Sequence, residues 1–493
     1  MKDAVLTRMR KNVCRNFLAA GVSLLLAAVF CLIFSYYSSP LTPQTYGWDS
    51  SFFQLVGASM TKGFLPYRHF FDNKGPYLFL LEWLGQTVCY GRGGVFILEV
   101  LSVSASCFLC YKIAALFIKK VWICFGSVII LLGVMTIFFD GGNTVGEWCL
   151  PLSMLCVYLF AKHYRKNPDM PHPAKYAFWY GLCFMTIILT RMIDAAVICA
   201  VVFAALVMLL KDKQYKVLFQ NMGTFLLGCA VSVVPVLIWG IANNLLYDIF
   251  YCSFIFAFRY ATGGGASFTW PMLLLLIPAF YMVFFWKQIR LVFRLFFLSG
   301  ITASMVALCV GIGRIIYGML FVPLIILSID MLIEVFITYH IQKNRKSWFI
   351  LFGVLMIFIT QAETVARKTY DAIKMVAVQP YKEAYEACVD IADYIPENER
   401  DSVGLYLGDS LYCCAIAEII PYNRYCGWQD HYISLDPNIA IEFDQMLTDN
   451  PPIWMLTIPD YDKIDDHIAK HLQTEYELYA ENERHWLFKR KTV

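Results

Sequence analysis

One polar loop near the start of the chain combines the residue types that phosphate and sugar chemistry require. The loop lies between two apolar runs and contains Asp49 in its first part and Lys74 in its last part. A carboxylate can take the proton of an attacking hydroxyl, and a lysine ammonium can bind a phosphate on which negative charge builds up. The loop therefore has the parts needed to displace a phosphate-linked group.

Two short helices are predicted to position these side chains. Apolar residues recur at helical spacing over Ser50–Thr61, which places Asp49 where an N-cap belongs. A cap that does no chemistry is the alternative role of Asp49. Lys74 precedes a second helix with Pro76 at its first position, and a cation beside a helix N-terminus forms an anion site. Anchoring to a lipid headgroup is the alternative role of Lys74.

The composition places this loop on a membrane protein. Of the 493 residues, 59% are hydrophobic and 16% are charged, and the mean hydropathy is +0.58. Soluble domains are about 45–50% apolar and about 25% charged. These values exclude a soluble enzyme, a disordered chain and a nucleic-acid binder with a basic face.

The net charge of +3 hides two parts of opposite sign. Residues 363–493 carry about −12 and residues 1–362 about +15, which predicts two domains. The first is a basic membrane body whose outer loop, residues 38–94, holds the candidate site. The second is an acidic, soluble, extracytoplasmic domain.

We predict about eleven membrane spans, because a crossing helix needs about 20 apolar residues. With the N-terminus inside, about 21 of about 28 basic residues of the body fall on the inner side, and the C-terminal domain lies outside. This count requires that the segment 76–90, about 22 Å long as a helix, lies on the outer surface and does not cross. The predicted spans are Phe17–Tyr37, Val95–Phe117, Val121–Phe139, Trp148–Ala161, Tyr176–Thr190, Ile193–Leu210, Leu218–Ile241, Trp270–Trp286, Leu291–Ile312, Ile315–Ile337 and Trp348–Gln361.

The last 125 or so residues alternate helical and strand patterns, which predicts a small α/β domain. We expect helices at Lys382–Tyr394 and Tyr461–Leu472, and strands at Ser402–Leu407, Trp454–Ile458 and Trp486–Lys489. The cysteines show no Cys-x-x-Cys or Cys/His spacing of a zinc site. They show no disulfide framework either, although one bridge in the tail stays open.

The outer loop resembles the glycosyltransferase C superfamily, close to its protein O-mannosyltransferase and aminoarabinose transferase branch. Those membrane enzymes have one span and then a loop with Asp followed by Ala, Gly-x-x-Pro-Tyr and Lys-x-Pro. The resemblance is specific over about residues 46–91 and looser through the spans. The matching residues are Asp49, Ala58, Gly63, Pro66, Tyr67, Lys74 and Pro76.

The resemblance implies a transferase that takes a sugar from a polyprenyl-phosphate carrier to a cell-envelope acceptor (glycan, lipid or protein) with inversion. Asp49 then acts on the acceptor, and Lys74 binds the donor phosphate. Further outer-face cations are candidates for that phosphate, and a second carboxylate is expected after the third span. The cations are Arg191, Arg259 and Arg314, and the carboxylate is Asp140 or Glu147.

Several points stay open at this stage. Relatives carry a His-Tyr pair near this arginine, where this chain has Tyr317-Gly318 after Arg314. The acceptor or phosphate contacts near Arg314 are therefore in question. Arg259 and Arg314 could instead pair with Asp194 or Asp248. A divalent metal is possible, because relatives differ in needing one. The alternative functions are a polysaccharide polymerase or ligase and a lipid-linked glycan transporter, and the expected partners are the donor lipid, the acceptor and membrane lipids, with no nucleic acid.

Overall fold

Long apolar helices make up most of the chain. The computed structural model describes residues 2–262, 270–310, 314–341, 346–406, 410–427 and 429–491. Among these residues, eight helices are long and apolar enough to cross a membrane. They are Val13–Phe34, Arg92–Phe117, Val121–Phe138, Val145–Lys166, Met192–Lys211, Tyr215–Ala242, Leu291–Cys309 and Ile315–Thr338.

These eight agree with eight of the spans predicted from hydropathy. The other three predicted spans are also helical. One is a helix of 15 residues, Ala174–Ile188. The second is divided into Trp270–Leu275 and Ile277–Phe284, and the third belongs to a 33-residue helix, Lys346–Val378. The total of about eleven crossings stays a prediction.

The α-helices are numbered here in chain order, and the short 3-10 turns and the π-helical segment Tyr251–Phe256 are left without numbers. They are α1 (Lys2–Phe34), α2 (Trp48–Thr61), α3 (Pro76–Val88), α4 (Arg92–Phe117), α5 (Val121–Phe138), α6 (Val145–Lys166), α7 (Ala174–Ile188), α8 (Ala196–Lys211), α9 (Tyr215–Ala242), α10 (Leu246–Phe250), α11 (Ala257–Thr262), α12 (Trp270–Leu275), α13 (Ile277–Phe284), α14 (Leu291–Val310), α15 (Val322–Ile341), α16 (Lys346–Val378), α17 (Lys382–Asp393), α18 (Ser410–Ala417), α19 (Gln429–Leu435), α20 (Asn438–Asp449) and α21 (Asp466–Glu475).

The chain packs as two compact units. Unit 1 contains residues 1–35, 98–237 and 264–373, and unit 2 contains residues 36–97, 238–263 and 374–493. Packing therefore groups the outer loop with the C-terminal tail in unit 2. The boundary predicted near Glu363 rests on a change of charge and lies inside α16.

Glycines let helices of unit 1 approach each other closely. A Cβ on Gly181 of α7 would lie 1.9 Å from the carbonyl oxygen of Phe225 in α9. A Cβ on Gly228 of α9 would lie 2.1 Å from the carbonyl oxygen of Phe178. Apolar attraction to a neighbouring helix is no stronger than to lipid, so such close backbone contacts are how membrane helices recognise each other.

The outer-loop helices α2 and α3 form a packed pair in unit 2. Phe52 and Phe53 of α2 and Phe79 of α3 are fully buried and meet edge to face. A Cβ on Gly57 would lie 2.7 Å from the backbone of Glu82, so only glycine allows this crossing. The pair gives the loop a rigid base, which confirms the two helices predicted from residue spacing.

A four-stranded sheet organises the tail of unit 2. The strands are β1 (Val403–Tyr406), β2 (Trp454–Thr457), β3 (Tyr476–Glu481) and β4 (Trp486–Arg490), in the order β1-β2-β4-β3. Strands β1 and β2 are parallel, and the other pairs are antiparallel. All residues of β1 and β2 are buried, as expected for strands covered on both faces.

The predicted α/β fold of the tail is confirmed, but several of its elements differ from the prediction. Helix α17 and strands β1, β2 and β4 lie where the patterns placed them. The helix predicted at Tyr461–Leu472 is a 3-10 turn, Tyr461–Lys463, followed by α21. Strand β3 and helices α18, α19 and α20 were not predicted.

Candidate active site

Helix α2 begins one residue before Asp49, so the predicted N-cap role of Asp49 is wrong. Gly47 is the N-cap, with an extended backbone at φ −115° and ψ 152°. A Cβ at Gly47 would lie 2.4 Å from the ring of Tyr37, which explains why a glycine stands here and not a capping side chain. Asp49 instead lies in the first turn, where a carboxylate is favoured by the helix dipole.

The Asp49 side chain is half-buried and available to a ligand. Among the residues that the structure describes, it takes part in no hydrogen bond or ion pair. A carboxylate without a protein donor can accept a hydrogen bond from a bound hydroxyl. Asp49 is close enough to Asp72 for its charge to contribute to the raised pKa of Asp72.

A tight turn at Pro66-Tyr67 fixes the second half of the loop. Tyr67 has a positive φ of 67°, which is rare for a residue with a side chain. Its backbone N–H donates to the carbonyl of Phe70 at 2.8 Å, and its hydroxyl donates to the carbonyl of Lys74 at 2.8 Å. The buried Tyr67 ring therefore holds the backbone at Lys74, directly before α3.

The ammonium of Lys74 is held by two neighbours in the chain. Its Nζ donates to Asn73 Oδ1 at 2.6 Å and to Asp72 Oδ1 at 3.2 Å. It also lies 5.7 Å from the ring centre of Phe53 and 5.9 Å from that of Tyr260. The Lys74 side chain keeps 12% of its surface exposed, so this cation is positioned and still accessible.

Asp72 is a fully buried carboxylate that the sequence reasoning did not assign to the site. Its Oδ1 accepts the Lys74 backbone N–H at 2.8 Å, and its Oδ2 has no hydrogen-bond partner among the described residues. Burial raises the pKa of Asp72 most, and the charge of Asp49 raises it further, against the lowering effect of Lys74. The net pKa lies above the ordinary aspartate value.

Residues of the tail complete the surroundings of these carboxylates. The carbonyl of Arg424 accepts the backbone N–H of Phe71 at 2.8 Å, beside Asp72. Tyr432 of α19 is buried, and burial first, then the charges of Asp72 and Asp49, raise its pKa. The tail therefore braces the loop from within the same packed unit, and no sequence motif predicted this contact.

Arg259, a predicted phosphate ligand, forms an ion pair with a tail carboxylate. Its Nη1 lies 2.9 Å from Asp436 Oδ2, which also accepts a short hydrogen bond from the Tyr251 hydroxyl. Burial opposes ionisation of Asp436, but the bond from Tyr251 and then further donors, Arg259 among them, lower its pKa. Asp436 was not considered as a partner in the sequence analysis, which named Asp194 and Asp248. The Arg259 side chain keeps 48% of its surface exposed.

The other two predicted arginines belong to unit 1. Arg191 is partly buried and donates to both oxygens of Asp194, at 2.5 and 3.0 Å. Its guanidinium lies 4.7 Å from the centre of the Tyr317 ring. Arg314 is exposed and directly precedes the 3-10 turn Ile315–Phe321. Tyr317, noted as a departure from relatives, thus packs on Arg191.

The two candidates for a second carboxylate differ in their surroundings. Asp140 is exposed, and the carbonyl of the preceding Phe139 accepts a hydrogen bond from Lys368 at 2.7 Å. Glu147 is buried and hydrogen-bonds to Glu99 and to the backbone N–H of Asn143. Glu147 therefore has structural partners, whereas Asp140 is exposed, with Lys368 close enough to interact electrostatically with it.

A turn of left-handed residues separates the two carboxylates. Gly141, Gly142 and Asn143 have φ values of 75°, 87° and 54°. A Cβ at Gly142 would lie 2.5 Å from Glu99 Oε1, so the backbone must wrap closely around that carboxylate. Asn143 N–H donates to the same oxygen at 2.5 Å.

One cavity of unit 2 lies apart from these residues. It has a volume of about 350 Å³, and neither Asp49 nor Lys74 lines it. Its cations have structural roles, because Lys62 pairs with Glu418 at 3.2 Å and Arg92 donates to backbone carbonyls of the loop. The candidate site stays at Asp49, Asp72 and Lys74, the group of charges in the loop.

No metal-binding group of three close ligands among the described residues includes Asp49 or Asp72. The possible divalent metal of the sequence analysis therefore gains no three-ligand protein site here. The carboxylates of the loop could contribute single ligands to an ion held also by a phosphate.

The sequence matches no protein-family profile and no curated protein. Its structure is similar to the crystal structure of ArnT from Cupriavidus metallidurans bound to undecaprenyl phosphate. The TM-score is 0.56 at 12% identity, over 95% of this chain and 98% of that one. For the apo state of ArnT the TM-score is 0.57 at 13% identity, over 95% and 97%. The chain therefore has the ArnT fold, which confirms the predicted class: a helical, multi-pass membrane protein with a small C-terminal α/β domain.

Proposed function

We propose that the chain is a membrane glycosyltransferase of the glycosyltransferase C type. It moves a sugar from a polyprenyl-phosphate carrier to a cell-envelope acceptor on the outer face, with inversion. The proposal is supported by the fold shared with ArnT, whose crystal structure holds undecaprenyl phosphate, along nearly the whole length of both chains. The observation that carries it is the placement of Lys74 beside Asp72, with Asp49 in the same loop.

Lys74 binds the donor phosphate in this proposal. The bond from Tyr67 to its carbonyl and the bonds from its Nζ to Asp72 and Asn73 fix the ammonium before a ligand arrives. Fixing the group in advance reduces the ordering cost of binding and keeps the charge in place as the leaving phosphate becomes more negative. Lys74 thus acts on the donor and not on the acceptor.

Asp49 is the general base for the acceptor hydroxyl. Its carboxylate has no hydrogen-bond donor among the described side chains, so a hydroxyl can supply one. Positioned proton transfer contributes typically about 10²–10⁴-fold to rate. A single displacement with one base and a leaving phosphate inverts the anomeric carbon.

The remaining predicted residues take supporting roles. Arg259 keeps exposed surface beyond its pair with Asp436 and is a second cation for the phosphate. Arg314 is exposed and Arg191 is paired with Asp194, so Arg314 is the better candidate of the two for a ligand contact. Asp140 is the second carboxylate, because the partners of Glu147 give it a structural role.

The test is transfer by the purified protein in lipid nanodiscs. Polyprenyl-phosphate donors carrying different sugars are offered against cell-envelope glycans, lipids and peptides, and the anomeric configuration of the product is determined. The proposal expects an inverted product from one donor class. Polymerisation of a diphosphate-linked glycan, or carrier movement without transfer, would support the polymerase or transporter instead.

A further inference from the structure

Three side chains that can bind a metal ion lie close together in the interior of the tail. The Sγ atoms of Cys388 and Cys413 and a ring nitrogen of His485 lie within 4.8 Å of one another, and all three residues are buried. The Nε2 atom of His485 lies 3.4 Å from the sulfur of Cys413 and 4.0 Å from that of Cys388. The group has no part in the loop site.

The three residues come from separate elements, so no sequence motif identifies them as a group. Cys388 lies on α17, Cys413 on α18, and His485 immediately before β4. Their separations in the chain are far from those of zinc fingers and ribbons. Convergence therefore depends on the tertiary packing of the tail.

The distances fit the size of a zinc site. Zinc binds thiolate sulfur at about 2.3 Å and imidazole nitrogen at about 2.0–2.1 Å, so a tetrahedral ion separates these ligands by about 3.6–3.8 Å. The two sulfur-to-nitrogen distances of 3.4 and 4.0 Å fall on either side of this range. Side-chain shifts of a few tenths of an ångström would bring the atoms to coordinating positions.

Backbone hydrogen bonds hold the imidazole toward the thiols. Asn482 accepts the His485 N–H at 2.9 Å and donates its own amide to the carbonyl of Ala387 at 2.8 Å, next to Cys388. The Nε2 atom of His485 faces the two thiols, which form only weak hydrogen bonds. A metal ion bound at Nε2 and at both sulfurs would be a stronger partner for this buried nitrogen.

We propose that Cys388, Cys413 and His485 bind Zn²⁺ and that the ion stabilises the tail. On binding, both thiols lose their protons to solvent, and the imidazole binds in its neutral form through Nε2. A water molecule takes the fourth position of the tetrahedron. The ion would join α17 and α18 to the start of β4.

The experiment uses the full-length protein purified in detergent without chelators. Metal content is measured by mass spectrometry of the elements, and cobalt is exchanged in to record thiolate-to-metal charge transfer. We expect about one zinc per chain, a cobalt spectrum with thiolate bands, and a lower melting temperature after chelation. His485→Gln and Cys388→Ser should each lose most of the metal.

Cys426→Ser is the matched control, because Cys426 is a buried tail cysteine outside the group. It should keep the metal content of the wild type. Because Cys388→Ser could unfold the tail, the cobalt spectrum of the wild-type protein decides independently of any variant. A Cys388–Cys413 disulfide in the native protein, or a wild-type protein that binds neither ion, would overturn the proposal.

Discussion

The ammonium of Lys74 lies 3.2 Å from Oδ1 of Asp72, a carboxylate with no exposed surface. The cation proposed to bind phosphate is therefore already half of an ion pair. The other half is a group whose pKa is raised by burial and by the charge of Asp49. The charge that a donor phosphate meets thus depends on three neighbouring groups.

Lys74→Ala should weaken binding of the polyprenyl-phosphate carrier roughly ten- to a hundred-fold, since it removes a charged hydrogen bond of about 1.5–3 kcal/mol. Lys74→Arg should recover part of the loss, because the charge persists with a different geometry. The measurement is carrier affinity in nanodiscs. Lys382→Ala, at a lysine with 60% of its side chain exposed, is the control and should bind as the wild type does. Equal affinity in Lys74→Ala would remove Lys74 from the site.

Asp72 predicts a pH dependence of stability. Its folded-state pKa is raised, so the folded protein holds this proton more tightly than the unfolded chain does. Protonated Asp72 therefore stabilises the folded state fully below the ordinary aspartate pKa of about 3.9. This stabilisation is lost as the pH rises through the raised folded-state pKa of Asp72. The wild type should therefore lose melting temperature relative to Asp72→Asn across that window. A constant difference between the two proteins across that window would contradict the shift.

Substitutions of Asp140 and Glu147 should have different effects, one on activity and the other on stability. Asp140→Asn changes an exposed group and should lower transfer while leaving the melting temperature nearly unchanged. Glu147→Ala leaves buried polar partners without their bonds and should destabilise by about 1–3 kcal/mol. Transfer rate and thermal unfolding are measured on both variants. Full activity in Asp140→Asn would exclude Asp140 as the second carboxylate.

The tail should lie outside the cytoplasm. The count of basic residues in the loops places the N-terminus inside, and about eleven spans then place the C-terminus outside. A periplasm-active reporter fused after the last residue should be active, and a cytoplasm-only reporter should be silent. The reverse result would put the Asp49 loop on the wrong side for an outer-face reaction.

Local patterns were sufficient to predict the two helices of the loop, whereas the site roles of Asp49 and Lys74 stay predictions. Helical periodicity over Ser50–Thr61 and Pro76 at the first position of α3 depend only on neighbours in the chain, and both predictions are confirmed. The N-cap prediction failed because the ring of Tyr37 leaves no room for a side chain at the N-cap position, Gly47. Helical periodicity carries no information about this contact.

The residues that sequence reasoning missed depend on contacts between distant parts of the chain. Tyr432 comes near enough to Asp72 and Asp49 for their charges to raise its pKa, after burial, only because the tail folds against the loop. Strand β3 was missed because most of its residues are exposed, which leaves no alternation of apolar and polar positions. Cys388, Cys413 and His485 meet in the same way, without a spacing that marks them.

The central claim is that Asp49 is the base of a sugar transfer. Asn at this position keeps the size of the side chain and lies in a helix that Gly47 caps, so the fold should persist. Asp393→Asn, at an exposed carboxylate of α17, serves as the control for a lost charge and should transfer at the wild-type rate.

The most direct measurement is single-turnover transfer from the polyprenyl-phosphate donor by the wild type and Asp49→Asn, with carrier binding measured in parallel. The account predicts a rate lower by about 10²-fold or more with carrier affinity unchanged, since the base acts on the acceptor and not on the donor. An Asp49→Asn protein that transfers sugar at nearly the wild-type rate would contradict it.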